Sequence, residues 1–172
     1  MPNATKTTKP AKSTLAETSN NLSAAAREKS TRLLNQTLAD LIDLHFQAKY
    51  AHWNVCGPTF FAQHELFDKL AGEFFEPIDD VAERIVALGG IANGKIHQAA
   101  SVSQVPPVDV PKGELGWINT LIKQTATIAN AVRSAIDATA EGGDTGTSDL
   151  LTGLSRSLDK SLWFLEAHTR GN

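Results

Sequence analysis

The chain has 172 residues, which is enough for one domain of ordinary size with a real core. Its 41% hydrophobic and 20% charged content is normal for a soluble globular protein. A formal net charge of −3 argues against a wholly basic nucleic-acid binder, so any such activity must be local. The single cysteine, Cys56, excludes an intrachain disulfide. Together with the absence of a run resembling a signal peptide or membrane span, it favours a cytosolic protein.

Residues 1 to about 22 differ in composition from the rest, being rich in Thr, Ser, Ala and Asn. Lys6, Lys9 and Lys12 precede the first acidic residue, Glu17. Such a segment cannot bury enough apolar surface to fold alone, so we expect a flexible tail over 1–22 and a folded domain over 23–170. Two interpretations stay open: a solubilising tail, or a basic arm that reaches phosphate, strengthened if an oligomer displays many arms.

The remaining sequence predicts four long helices. Apolar residues recur at three- to four-residue spacing over 23–54, 60–88, 114–140 and 147–168. We expect Thr59 to cap the start of the second helix and Gly89 with Gly90 to end it. Pro77, inside that helix, should kink it or remove one of its hydrogen bonds.

Residues 91–113 predict a long crossover with a short helix near 94–99, because the segment contains three prolines and is long for a loop in a compact domain. In an antiparallel bundle such a link lets the second and third helices run parallel. Four helices, one long crossover and inward carboxylates predict an all-α, ferritin-like four-helix bundle.

The second helix carries two pairs of metal-ligand residues. His64 and Asp68 are four residues apart, as are Asp79 and Glu83, so each pair shares a helix face. Asp68 and Asp79 are eleven apart, which is roughly three full turns, so all four point the same way. A rise of ~1.5 Å per residue nevertheless separates Asp68 from Asp79 by roughly 16 Å, whereas metal–ligand bonds are about 2 Å long. One copy of the helix cannot bring all four to one ion.

Two antiparallel copies of the helix can bring these four residues together, if a two-fold axis lies near residues 73–74. His64 then faces Glu83 of the partner subunit, and Asp68 faces Asp79 of the partner subunit. A two-fold axis pairs residues whose numbers add to a constant, and 64 with 83 gives the same sum as 68 with 79. A two-fold contact is self-complementary and produces every site twice. The sequence therefore predicts a metal site shared between subunits.

His52, at the end of the first helix, would complete this set. Mixed imidazole and carboxylate ligands suit Fe, Mn or Zn better than a metal that prefers thiols. The alternative is that these residues form ordinary solvated ion pairs. No Glu in the chain is followed by His three places later, so the intrachain di-iron motif of ordinary ferritin-like bundles is missing, which favours the shared site.

The turn between the third and fourth helices reads EGGDTGTSD and holds two further acids, Asp144 and Asp149. In an assembly these carboxylates could line an entrance for cations. The alternative, which we favour, is that they cap the following helix.

Three segments together resemble the Dps family, the mini-ferritins also called DNA-binding proteins from starved cells. AHWNVCGPTFFAQHELFD at 51–68 and IDDVAERIVALGG at 78–90 are similar to the central signature of the family, and LDKSLWFLEAH at 158–168 is similar to its last helix. The resemblance covers roughly residues 30–168. It implies a hollow shell of twelve subunits built from two-fold dimers, with ferroxidase centres at the two-fold interfaces.

The resemblance also implies the chemistry and the residues that perform it. Fe(II) would be oxidised to Fe(III), with hydrogen peroxide as the preferred oxidant, and ferric mineral would collect in the cavity. Trp53 matches a tryptophan that takes up stray oxidising equivalents, although interface packing would also explain it. The iron ligands implied are His52, His64 and Asp68 of one subunit with Asp79 and Glu83 of its mate.

DNA binding is implied for those family members that carry a lysine-bearing N-terminal tail, and Lys6, Lys9 and Lys12 fit that pattern. The resemblance then implies a cytoplasmic, nucleoid-associated protein that shields DNA. The rival interpretation is an architectural protein that compacts DNA without ferroxidase activity, its metal-ligand residues forming only interface ion pairs. A helical bundle with neither activity is a second rival.

Overall fold

A computed structural model describes residues 15–170, so Lys6, Lys9 and Lys12 lie outside the described residues. This part of the chain contains no strand and five helices, none of which is long and apolar enough to cross a membrane. The helices are α1 (Ala24–Asn54), α2 (Phe60–Ala87), α3 (Ile96–Val102), α4 (Gly116–Glu141) and α5 (Thr145–Glu166). The all-α bundle, with a short helix in the crossover, is confirmed.

The four long helices pack as two hairpins, α1 against α2 and α4 against α5, and α1 also packs on α4. Each buried Leu or Phe side chain contributes about 1.5–3 kcal/mol relative to an exposed one. The largest fully buried side chains from all four helices meet between the hairpins, including Leu34, Leu41, Phe67, Phe74, Leu121 and Leu158. In contrast, α2 and α5 make few contacts with each other, which leaves a groove between them.

The ends of α1 and α2 differ in detail from expectation. Ser23 is the N-cap of α1 rather than its first residue, and its hydroxyl accepts a hydrogen bond from the Ala26 amide at 3.1 Å. Gly89 ends α2 as predicted, with φ +85°, a conformation that glycine adopts without strain. Thr59 is the N-cap residue of α2, as predicted, but its side chain makes no capping hydrogen bond. Its hydroxyl instead accepts from Gln63 Nε2 at 2.8 Å.

α4 begins at Gly116 rather than residue 114, and α5 begins at Thr145 and ends at Glu166 rather than at residue 168. α2 continues from Phe60 to Ala87 as one helix through Pro77. Pro77 has no amide hydrogen, so one intrahelical bond is missing there, yet the ligand residues on either side remain on the same helix.

The crossover is fastened to α1 by buried and half-buried polar side chains. Asn35 Nδ2 donates to the Ile91 carbonyl at 3.1 Å. Asp40, which is buried, accepts from the Gln104 amide at 2.7 Å and from Gln36 Nε2 at 3.0 Å. Burial raises the pKa of Asp40. The bonds to Ile91 and Gln104 hold the start and the middle of the α2–α4 connection against α1.

A buried ion pair joins α2 to the start of α5. Asp144, only 1% exposed, accepts from Arg84 Nη2 at 2.7 Å and from the Thr147 amide at 3.0 Å, and Arg84 Nε donates to the Thr147 hydroxyl at 2.9 Å. Burial alone would raise the pKa of Asp144, but hydrogen bonds from Thr147 and Ser30 and the charge of Arg84 hold that pKa below its ordinary value. Asp144 is therefore ionised, and it fixes the C-terminal half of α2.

Replacing Asp144 with Ala should lower the unfolding free energy by about 3 kcal/mol, because Arg84 is left partly buried without its partner. The pKa of Asp144 is depressed, so its stabilisation is complete above the ordinary Asp pKa of about 3.9 and is lost as the pH falls through the lower, folded value. The cost of the substitution should accordingly shrink below about pH 4. Urea unfolding of the parent and the variant, near neutral pH and again below about pH 4, measures the cost of the substitution under both conditions.

Asp159→Ala is the matched control, since it removes the exposed pair that Asp159 makes with Arg133 on the surface and should cost less than about 1 kcal/mol. Equal losses for the two variants near neutral pH would contradict the role given to Asp144.

Candidate metal centre

The end of α1 and the first turns of α2 bring His52 and His64 face to face. Their rings stack with centroids 3.7 Å apart and planes 21° apart. His52 Nδ1 lies 2.9 Å from the His64 carbonyl, and His64 Nδ1 lies 2.9 Å from the His52 carbonyl. A ring nitrogen bonds a carbonyl by donating its proton, so each Nε2 keeps a free lone pair. This is the tautomer of an imidazole that binds metal through Nε2.

The tight turn between α1 and α2 makes this pairing possible. Gly57 has φ +111°, which a residue with a side chain would adopt only with strain, and its carbonyl accepts from the Phe60 amide at 3.1 Å. The Val55 amide donates to the Ala51 carbonyl at 2.9 Å, closing α1. The last turn of α1 therefore faces the first turns of α2.

Asp68 lies one turn beyond His64, on the same face of α2, and is paired with Lys49. Lys49 Nζ lies 2.6 Å from Asp68 Oδ1. The hydrogen bond and charge of Lys49, with smaller effects from His52 and His64, hold the pKa of Asp68 below its ordinary value. The centre thus contains a carboxylate whose charge is partly neutralised by an ammonium.

Lys49 is a residue of this cluster that the sequence pattern did not single out. It lies three residues before His52, a spacing that places both on one helix face. That spacing is the signal that could have identified it.

Trp53 borders the same cluster. Its side chain is 63% exposed, and Lys49 Nζ lies 5.9 Å from its ring centroid, within cation–π range. The indole therefore lies at the surface beside Lys49 rather than in the core of the subunit.

Asp79 and Glu83 lie farther along α2, exposed on the same face. Neither side chain makes a hydrogen bond or ion pair with any other residue of the described chain. Within residues 15–170 of one chain, no three or more His, Cys, Asp or Glu side chains are grouped so that they could hold a metal ion. One subunit therefore pairs His52 with His64, holds Asp68 one turn away on α2 against Lys49, and leaves Asp79 and Glu83 apart. The shared site stays a prediction.

The two acids of the α4–α5 turn behave differently from each other. Asp144 is buried and serves as the N-cap of α5, as the favoured alternative predicted, and a buried, paired carboxylate cannot line an entrance for cations. Asp149 is exposed and borders a groove of about 680 Å³ between α2 and α5. Of the two, only Asp149 remains a candidate for an ion entrance.

Comparison with known proteins identifies the family. The family model described as the ferritin-like domain matches residues 31–171. A DNA protection during starvation protein from Agrobacterium fabrum is 42% identical over 156 residues, covering 90% of this chain and 96% of the relative. The chain belongs to the Dps family.

Solved structures of Dps proteins agree with this assignment. DpsC from Streptomyces coelicolor matches with a TM-score of 0.87 and 35% identity, covering 93% of this chain and 94% of its own. Dps from Thermosynechococcus elongatus matches with a TM-score of 0.81 and 27% identity, covering 86% and 94%. The resemblance drawn from residues 51–68, 78–90 and 158–168 is confirmed at the level of family and fold.

Lys49→Met should strengthen the binding of Co(II) to the assembled Dps protein severalfold, because it removes a cation that competes for Asp68. Isothermal titration calorimetry measures the change. Lys69→Met is the control, since Lys69 pairs with Glu73 at 3.9 Å instead of with Asp68, and should leave the affinity near that of the parent. Unchanged or weaker binding in the Lys49 variant would show that the ammonium does not compete with metal.

Proposed function

We propose that this Dps protein is a ferroxidase that oxidises Fe(II) with hydrogen peroxide and stores ferric mineral inside a shell of twelve subunits. The observation that carries the proposal is the reciprocal pairing of His52 and His64, which leaves two Nε2 lone pairs beside the carboxylate of Asp68. Neutral nitrogen and anionic oxygen ligands hold Fe(II) weakly and favour Fe(III), the harder ion. A small number of protein ligands leaves coordination positions open for peroxide.

Each centre is completed by Asp79 and Glu83 of the partner subunit. These carboxylates are exposed and unpaired in the described chain, as ligands awaiting a metal would be. Delivery of two electrons to peroxide, one from each of two Fe(II) ions, yields water instead of hydroxyl radical. The chemistry therefore removes peroxide and Fe(II) together, which would protect nearby DNA.

Exposed apolar side chains on the same face of α2 support the two-fold contact. Phe61, Phe75 and Val86 are all exposed in the single chain, and exposed clusters of large apolar side chains mark interaction surfaces. The register that joins His64 to Glu83 of the partner subunit also joins Phe61 to Val86 of the partner subunit. Apolar contacts and the shared metal ligands thus require the same alignment.

Gly72 supports that alignment independently. A methyl group added at Gly72 would meet no atom within 4 Å in the single chain, so the surface there has a shallow opening. The same register brings Phe75 of the partner subunit to this opening. An aromatic ring seated against a glycine allows the two α2 backbones to approach closely.

DNA binding through the N-terminal tail is the second part of the proposal. The curated relative of Agrobacterium fabrum bears the name DNA protection during starvation protein, and this chain carries Lys6, Lys9 and Lys12 before its first acid. A shell that displays many such tails would bind phosphate backbones without sequence preference, and more weakly as salt rises. We infer from this proposed DNA binding that the protein works in the cytoplasm, associated with the nucleoid.

His52→Ala combined with His64→Ala should slow peroxide-driven Fe(II) oxidation by at least about tenfold, because the imidazole ligands of each centre are lost. Assembly should persist, since neither ring belongs to the buried core. Stopped-flow absorbance of Fe(III), with size-exclusion chromatography for assembly, measures both. His97→Ala, an exposed histidine of α3, is the control; parental rates in the double variant would place the oxidation elsewhere.

Gly72→Leu should prevent the two-fold dimer from forming, because the added side chain fills the opening that the partner subunit requires. Multi-angle light scattering should report smaller species, and Fe(II) oxidation should fall with them. Gly153→Leu is the matched control on α5, where an added Cβ also meets nothing within 4 Å. An intact shell for Gly72→Leu would contradict the proposed register.

Deletion of residues 1–14 should weaken retention of duplex DNA in a gel-shift assay and reduce its salt dependence, because it removes all three lysines. Fe(II) oxidation should be unchanged. Equal retention of DNA by the full chain and the truncated chain would eliminate the arm hypothesis.

A further inference from the structure

Asn93 is the only asparagine of the sequence that is followed by glycine, in the segment IANGK at 91–95. This segment joins the end of α2 to α3 and has no regular secondary structure. An asparagine carboxamide can react with the backbone amide nitrogen of the next residue, and glycine hinders that ring closure least because it has no Cβ. The sequence pattern therefore marks position 93 as a candidate for chemical modification.

The hydrogen bonds around this segment leave both reacting groups free. Asn35 Nδ2 donates to the Ile91 carbonyl at 3.1 Å, and Asn35 Oδ1 accepts from the Asn93 amide at 2.9 Å, so the backbone is held at positions 91 and 93. In contrast, Asn93 is exposed, and neither its side chain nor the Gly94 amide makes a hydrogen bond with any residue within 15–170. The carboxamide and the nitrogen that would attack it are therefore both unoccupied.

A carboxylate at position 93 would also lie near an unpaired cation. Asn93 and Arg32 line the same cavity, of about 470 Å³, between α1 and the crossover. The Arg32 guanidinium is exposed and makes no hydrogen bond or ion pair within the described part of the chain, even with Glu28 one turn earlier on α1. No acidic side chain lines this cavity, so a new carboxylate at position 93 would offer the guanidinium a partner there.

We propose that Asn93 deamidates spontaneously and that the aspartate formed pairs with Arg32. The Gly94 amide nitrogen loses its proton to solvent hydroxide and attacks the side-chain carbonyl carbon of Asn93. A C–N bond forms, and the carboxamide nitrogen takes a proton from water, which regenerates the hydroxide. That nitrogen leaves as ammonia, and a cyclic imide remains.

Water then opens the imide at either of its two carbonyl groups. Attack at the side-chain carbonyl gives aspartate, whereas attack at the backbone carbonyl gives isoaspartate, whose main chain is one methylene longer. In total, one carboxamide and one water give one carboxylic acid and one ammonia. Both products carry a carboxylate, and isoaspartate also lengthens the backbone shortly before Lys95, the N-cap of α3. The reaction does not depend on the proposed ferroxidase function.

Peptide mass mapping of the full-length assembled protein, incubated at neutral and at mildly alkaline pH, tests the modification. Conversion at Asn93 should exceed conversion at Asn54 severalfold and should rise with pH, because the attacking amide must first lose its proton. Asn54 is the internal control: it is also exposed, but Val55 follows it, and its Nδ2 donates to the Tyr50 carbonyl at 2.8 Å. Equal conversion at the two positions would overturn the proposal.

Gly94→Ala tests the route through the imide. The added methyl group hinders attack by the amide nitrogen, so conversion at Asn93 should slow severalfold. The variant should fold, since a Cβ at position 94 would meet only Ile42 Cδ1, at 3.8 Å, which is an ordinary van der Waals contact. Conversion at the parental rate in Gly94→Ala would rule out the imide.

Thermal unfolding of a double-mutant cycle measures the pairing with Arg32. Asn93→Asp reproduces the aspartate product and should raise the unfolding temperature of the parent slightly, because exposed ion pairs contribute little. The same change made in the Arg32→Gln variant should give no gain, and Asn54→Asp, the matched control, should have the same effect in both backgrounds. An equal gain from Asn93→Asp with and without Arg32, or no gain in either, would overturn the ion pair.

Discussion

The reciprocal hydrogen bonds between His52 and His64 are the interaction on which the candidate metal centre depends. Each imidazole donates Nδ1–H to the backbone carbonyl of the other residue at 2.9 Å. The two bonds fix the tautomer and orientation of both rings, and they hold the last turn of α1 against α2. Preorganised ligands of this kind need little rearrangement when metal binds.

The rigidity of α2 is the second constraint. A helix rises ~1.5 Å per residue, so the carboxylates near its two ends cannot converge within one subunit. Apolar side chains beside these carboxylates would favour association with a second subunit. Phe75, for example, is exposed and is not part of the core of its own chain. Gly72 leaves the room that such a side chain requires. Ligand geometry and apolar burial therefore favour the same assembly.

Much of the fold followed from sequence because the periodicity of apolar residues and the glycines at 89–90 are local signals. The ligand set was predicted from spacing on α2 together with the family resemblance, and it stays a prediction. The ion pairs of Lys49 with Asp68 and of Asp144 with Arg84 did not follow, since only the packing of separate helices brings these partners together. Thr59 shows a smaller limit: its residue type predicted the N-cap position of α2, but its hydroxyl bonds to the Gln63 side chain instead of a backbone amide.

The central claim is that each centre takes ligands from two subunits, and co-assembly of two inactive variants tests it most directly. One variant carries His64→Ala and Asp68→Ala, and the other carries Asp79→Ala and Glu83→Ala. In an equal mixture half of the two-fold dimers are mixed, and each mixed dimer contains one intact centre of its two. Peroxide-driven Fe(II) oxidation should therefore recover to about a quarter of the parental rate, whereas a co-assembled mixture as inactive as either variant alone would contradict the account.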